Sequence, residues 1–252
     1  MSTTLSSLPN PEYVRTLPDL TLVGVVHDHP ASVARVEAVV RDSSHETLAL
    51  ELPPLAIPLY RSYAADDSSD AGGEMSAAIR ASAAPVVGID GPGSGFARAF
   101  YRYIERENPD AETLERLYES VRTASARALR CRLAATGIGQ RAGVEGERPF
   151  TYDCDPDDDI EDLASDERSH VSTARAATAF SPPHVAHRDA IREDCMAEAL
   201  GELPGPVVAV VGIDHLEGLV ARLRRSAADR APVLEGGGDP ALAGDRAARD
   251  ER

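Results

Sequence analysis

The sequence predicts an α/β fold: a central, mostly parallel or mixed β-sheet flanked by helices, with a helical insertion between the third and last strands. Three observations predict it. Short, valine-rich apolar runs read as strands buried on both faces. Segments with helical spacing lie between them, the alternation that parallel strands need for their crossovers. Each run is followed at once by a glycine, proline, histidine or acidic residue that punctuates it.

The elements follow in order. Leu20–Val26 (LTLVGVV) is a strand ending at His27. Val33, Val36, Val39 and Val40 then recur at helical spacing, with Arg35, Glu37 and Arg41 placed outside that apolar face. Thr47–Leu52 (TLALEL) is a second strand, stopped by Pro53-Pro54. Helical sequence around Leu55–Tyr63 and Glu74–Ser82 flanks a loop-like stretch, AADDSSDAGG, at 64–73. Ala84–Ile89 (APVVGI) is the third strand, with Asp90 at its carboxyl end. Residues 95–136 read as helical, broken near Asn108-Pro109, and His187–Leu200 as a further helix. Val207–Gly212 (VVAVVG) is the last strand, and a helix opens at His215.

These elements define one domain over residues 20–226. Residues 1–19 form an N-terminal extension, and 227–252 form a polar tail read as disordered. The acidic run Asp153–Glu167 (DCDPDDDIEDLASDE) reads as a solvated, mobile insertion. Its D-x-D-x-D opening is not completed as a calcium loop, because Asp158 and Ala164 stand where glycine and glutamate are needed.

Charge narrows the function classes. Acids outnumber bases 42 to 26, for a net charge of −16, and every base is arginine. Without lysine the chain builds no Walker A loop and no Schiff base. The charge opposes nucleic acid and anionic membranes as partners. High acid content, no lysine and few aromatics suit a halophilic protein, whose charge is screened in molar salt. The first residues carry no signal-peptide pattern, and no apolar run approaches the length of a membrane helix. Three widely spaced cysteines, Cys131, Cys154 and Cys195, indicate neither disulfides nor a thiolate metal site. A cytoplasmic protein without a membrane anchor is expected; a homodimer is compatible with the sequence.

Ligands of open parallel sheets bind beyond the carboxyl ends of the strands. That rule selects His27, Glu51, Asp90 and His215. Gly24–His27 and Gly212–His215 are both G-x-x-H at a strand end. Two imidazoles and the Glu51 carboxylate make an open divalent-metal site, suited to manganese, cobalt, zinc or iron, with room for a water. The plainer alternative is a pair of histidines capping α/β loops. Arg192, on the helix before the last strand, either reaches the site to hold a carboxylate or oxyanion, or belongs to an exposed, salt-bridged face. His29 is near enough to His27 to support it or touch substrate. The turn Gly91–Phe96 (GPGSGF) is no dinucleotide fingerprint, since Phe96 falls where the third glycine belongs.

Residues 20–52, LTLVGVVHDHPASVARVEAVVRDSSHETLALEL, resemble the opening of the TraB/PrgY-like family, related to the Tiki metalloproteases and more distantly to erythromycin-esterase-like and ChaN-like proteins. Gly24–His27, Glu51 and Gly212–His215 match that family's motifs in order. Ile191–Ala197 (IREDCMA) resembles its E-R-D-x-Y-M-A helix through Arg192 and Met196-Ala197, although isoleucine and cysteine replace the glutamate and tyrosine. Arg98, ahead of Ala99-Phe100, resembles the arginine of the helix after the third strand. The resemblance implies a metal-dependent hydrolase of a peptide or ester bond. In it, His27, Glu51, Arg192 and His215 would be catalytic, with His27, Glu51 and His215 on the metal. Arg98, His29 and Asp90 would contact a peptide or small-molecule substrate. The expectation from a different class is a non-catalytic relative that sequesters a peptide or a metal-bearing ligand.

Overall fold

A computed structural model describes residues 8–66, 71–136, 152–178 and 180–230. Five strands form one sheet in the order β1-β2-β5-β3-β4: β1 Val14–Leu17, β2 Leu20–Val25, β3 Thr47–Leu50, β4 Val86–Gly88 and β5 Val207–Gly212. β2, β5, β3 and β4 are parallel neighbours, and β1 pairs antiparallel with β2. The sheet is therefore mixed, with the four predicted strands forming its parallel part.

Periodicity two along β5 assigns the two faces. Val208 and Val210 join Val23, Val25, Leu48 and Leu50 on one face, under α1 (Pro30–Asp42) and α3 (Gly73–Ala81). Val207, Ala209 and Val211 join Leu22 and Ala49 on the other, under α7 (Pro183–Glu202) and α8 (Ile213–Arg230). Between β3 and α3 runs α2 (Ile57–Ala64), and between β4 and α7 run α4 (Ser94–Glu107), α5 (Ala111–Ala134) and α6 (Ile160–Thr178). The expected helical insertion is thus α4 to α7. α5 packs on Ile191 and Cys195 of α7 through Leu117, and on Ala56 and Leu59 through Cys131 and Ala134. It thereby forms a wall beyond the carboxyl ends of the strands.

Three expectations change. The N-terminal extension is partly domain: Val14–Leu17 is an edge strand paired with β2. It escaped prediction because four residues without a clean alternation give too little signal. The acidic run is not a solvated insertion throughout. Its second half enters α6, where Leu163, Ala164, Glu167 and Val171 are buried. Finally, Arg35 is not on the outer face of α1 but fully buried. Its guanidinium meets Glu167 at 2.8 Å, with neither side chain exposed, and also donates to the Gly24 carbonyl. Glu167 additionally accepts from Asn10 and Ser32. The α6 acid and the α1 base neutralise each other, which is why neither faces water. Ala227–Arg230 continue α8, and the remainder of the expected tail lies outside the described residues, as do 67–70 of the expected loop at 64–73.

Candidate functional site

A cleft of about 1060 Å³ opens beyond the carboxyl ends of the parallel strands, between α2, α3, α5 and α7. His27, Glu51, Asp90 and Arg192 all line it. The strand-end rule therefore places these side chains together, with His215 behind them.

Glu51 follows β3 directly, and Pro53-Pro54 turns the chain away after it. Gly88 in β4 permits that turn: a Cβ there would lie 2.4 Å from the Leu52 carbonyl oxygen. Asp90 is thereby brought beside Glu51. From α7, Arg192 reaches both. Its Nη2 donates to Glu51 Oε1 at 2.6 Å and to Asp90 Oδ2 at 2.9 Å, its Nε to Asp90 Oδ1 at 3.2 Å, and its Nη1 to His215 Nε2 at 2.9 Å. Glu51 Oε2 accepts the Gly212 N–H at 2.6 Å. Burial works against the charge on Arg192, but Glu51 and Asp90 outweigh it and push its pKa up. The exposed salt-bridged reading of this helix face is set aside: Arg192 is the hub of the strand ends.

His215 is buried and its Nδ1 lies 3.2 Å from Glu193 Oε1. Because Nε2 accepts from Arg192, the proton sits on Nδ1 and is donated to Glu193. Burial disfavours the charged ring, but the Glu193 hydrogen bond and the Glu51 charge together raise its pKa.

His27 is different. Its side chain is 48% exposed, and its Nδ1 lies 2.8 Å from Oε1 of Glu74. The hydrogen bond to Glu74, opposed by burial, raises its pKa to about 9. Glu74 opens α3, is 1% exposed, and also accepts the Asp28 N–H at 2.8 Å. Gly73 makes this approach possible: its φ is +43°, and a Cβ there would lie 2.1 Å from Asp28 Oδ1. Sequence reasoning missed Glu74. Its signal was present, since Glu74, Ala77 and Ala78 fall on one helical stripe and the alanines are fully buried. An acid on an apolar stripe needs a partner.

Other expected residues lie elsewhere. His29 is fully buried and caps α1, its Nδ1 accepting the Ala31 N–H at 3.1 Å. It does not line the cleft. Arg98 is exposed on α4 and is not among the residues lining the cleft.

The three expected metal ligands do not converge as a set: His215 Nε2 lies 3.5 Å from Glu51 Oε1, but His27 forms no three-ligand group with them. Among the described residues the donor atoms that lie within 4.8 Å of one another are those of His29, Cys154 and Asp166, close enough in principle to hold an ion. Around His27, Glu51 and His215, Arg192 takes the place a metal would fill, occupying Glu51 Oε1 and His215 Nε2. At His29, the bond from Ala31 uses the Nδ1 lone pair, so the ring proton lies on Nε2. That proton points to Asp166 Oδ2 at 3.1 Å and blocks the nitrogen a metal would need. Burial lowers the pKa of His29, more than Asp166 raises it, and keeps the ring neutral.

Among the described residues no helix is long and apolar enough to cross a membrane. No family model, curated protein or solved structure matches this chain.

Proposed function

We propose that the chain is a hydrolase that cleaves a peptide or ester bond in the strand-end cleft, as its resemblance to the TraB/PrgY-like family implies. The observation that carries this reading is the His27–Glu74 pair: a half-exposed imidazole lining the cleft, its far nitrogen held by a buried carboxylate. A carboxylate behind a histidine fixes the tautomer and stabilises the imidazolium that forms when the ring accepts a proton. His27 Nε2 takes a proton from water as the water oxygen attacks the carbonyl carbon. The tetrahedral intermediate collapses as the same nitrogen returns the proton to the leaving oxygen or nitrogen. Arg192 faces the developing oxyanion. Four of the five N–H groups of its guanidinium are engaged by Asp90, His215 and Glu51; the remaining Nη1 hydrogen has the Asp189 carboxylate 3.9 Å from its nitrogen, beyond hydrogen-bond reach, and is the one offered to the substrate. Glu51, Asp90 and His215 position that arginine.

Since the expected ligands do not converge, no step is routed through manganese, cobalt, zinc or iron. Metal would enter only if Arg192 released Glu51 and His215. Metal content of the purified protein, compared with an Arg192→Ala variant, checks this. Stoichiometric metal in the wild type would replace the metal-free scheme.

The test of function is turnover of p-nitrophenyl acetate and of a mixed peptide library in molar potassium chloride. His27→Ala should lose about 100-fold or more, the usual contribution of a general base. The alternative is a protein that sequesters a peptide, and it has one specific support: Glu51, Asp90 and Arg192 largely satisfy one another, which suits a rigid binding floor. Stoichiometric binding with the ligand recovered unchanged would establish it.

A further inference from the structure

A second recess, of about 60 Å³, opens from the cleft beside Arg188 and Arg192. Its wall is apolar: Phe96 and Phe100 of α4, Leu117 and Val121 of α5, and Ile191 of α7. Leu117 and Ile191 are 2% and 1% exposed, so the recess has a fixed floor. The rings of Phe96 and Phe100 stack at 6.3 Å with 14° between their planes. Asp90, Gly91, Ser120, Ala124, Arg188 and Arg192 belong to both the recess and the cleft, so the recess meets the cleft along α5 as well as at the Arg192 guanidinium.

We propose that this recess is a subsite for a small branched aliphatic group on the acyl side of the scissile bond; the inference rests on the hydrolase reading above. Volume and chemistry select that occupant. The space is small beside that of the main cleft and its lining is mostly apolar, which suits a compact aliphatic group better than a long chain. Apart from the Ser120 hydroxyl, which donates to the Arg116 carbonyl, the α4, α5 and Ile191 side chains that line it are apolar, so a polar group would enter at a loss. A free aliphatic group gains by leaving water, and each buried methylene is worth about fourfold in kcat/KM. The substrate class is therefore an ester or amide of a short branched acid, valine-like when the substrate is a peptide.

The experiment compares p-nitrophenyl acetate, isobutyrate, isovalerate and benzoate with the full chain in molar potassium chloride. Wild type should favour isobutyrate over acetate by about tenfold and discriminate against benzoate. Ala124→Leu and Val121→Phe, which fill the recess from α5, should bring the isobutyrate-to-acetate ratio to near one, with folding checked by circular dichroism. A flat series in the wild type, or a ratio that survives both folded variants, overturns the subsite. If the wild type hydrolyses none of the esters, the hydrolase reading fails by itself, and saturation-transfer NMR with isobutyrate then judges the recess. Transfer that is lost in Ala124→Leu upholds a binding subsite; no transfer overturns it.

Discussion

Two of the arginine–carboxylate clusters among the described residues, one at Arg35 and one at Arg192, differ in access to water. Arg35 and Glu167 are both fully buried and join α1 to α6. Arg192, with Glu51 and Asp90, keeps a quarter of its side chain open to the cleft, and the His27–Glu74 pair beside the same cleft keeps half of its imidazole exposed. The chemistry of the groups is alike, yet only the second set can exchange a proton or meet a ligand. A sealed ion pair holds a fold together; one with a solvent face can also act.

Breaking the sealed cluster should have the largest effect. Arg35→Met leaves Glu167 buried without its cation and should cost about 3–5 kcal/mol of stability, read from denaturant unfolding in molar salt. Adding Glu167→Leu should recover most of that loss. No recovery would mean that Asn10 and Ser32, rather than the ion pair, set the position of α6. Acid should reach the same cluster: burial raises the pKa of Glu167, but Arg35, Ser32 and Asn10 outweigh it and lower it below its ordinary 4.5. Its contribution is then present above pH 4.5 and lost as pH falls through the lower folded value.

The open cluster should respond in the opposite direction. The pKa of His27 is raised from 6.5 to about 9, so its contribution to stability is complete below pH 6.5 and lost as pH rises through about 9. Glu74→Gln should bring the His27 titration, followed by NMR, down towards 6.5. A titration that stays near 9 would assign the shift to Glu51 and Asp28 instead. In the same scheme hydrolysis rises with pH and levels off above about 9, because the unprotonated ring is the base. The smallest effect is expected at Arg98, exposed and away from the cleft. Arg98→Ala should change activity by less than about twofold and stability by less than about 0.5 kcal/mol.

Much of this was legible in the sequence. Valine-rich runs and helical spacing located the parallel strands and most helices, because burial on both sheet faces leaves an apolar record along the chain. The strand-end rule located His27, Glu51, Asp90 and His215 at one rim, since parallel strands all present their carboxyl ends to the same side. What the sequence could not place were charged residues on apolar stripes. Arg35 lies between Ala31 and Val39 on α1, Glu74 precedes Ala77 and Ala78 on α3, and Glu167 lies between Leu163 and Val171 on α6. Read alone, each is an exposed charge or a misfit.

The chain by itself determined the parallel part of the sheet, its rim and the residue types gathered there, through local periodicity and short-range punctuation. Only the tertiary structure decided which charges found each other: Glu167 with Arg35 across 132 positions, Glu51 with Arg192 across 141, and Glu74 with His27 across 47. It also decided that Arg192 stands where a metal was expected. A buried charge is tolerated only beside its partner, and that partner is supplied by folding rather than by neighbourhood in the sequence.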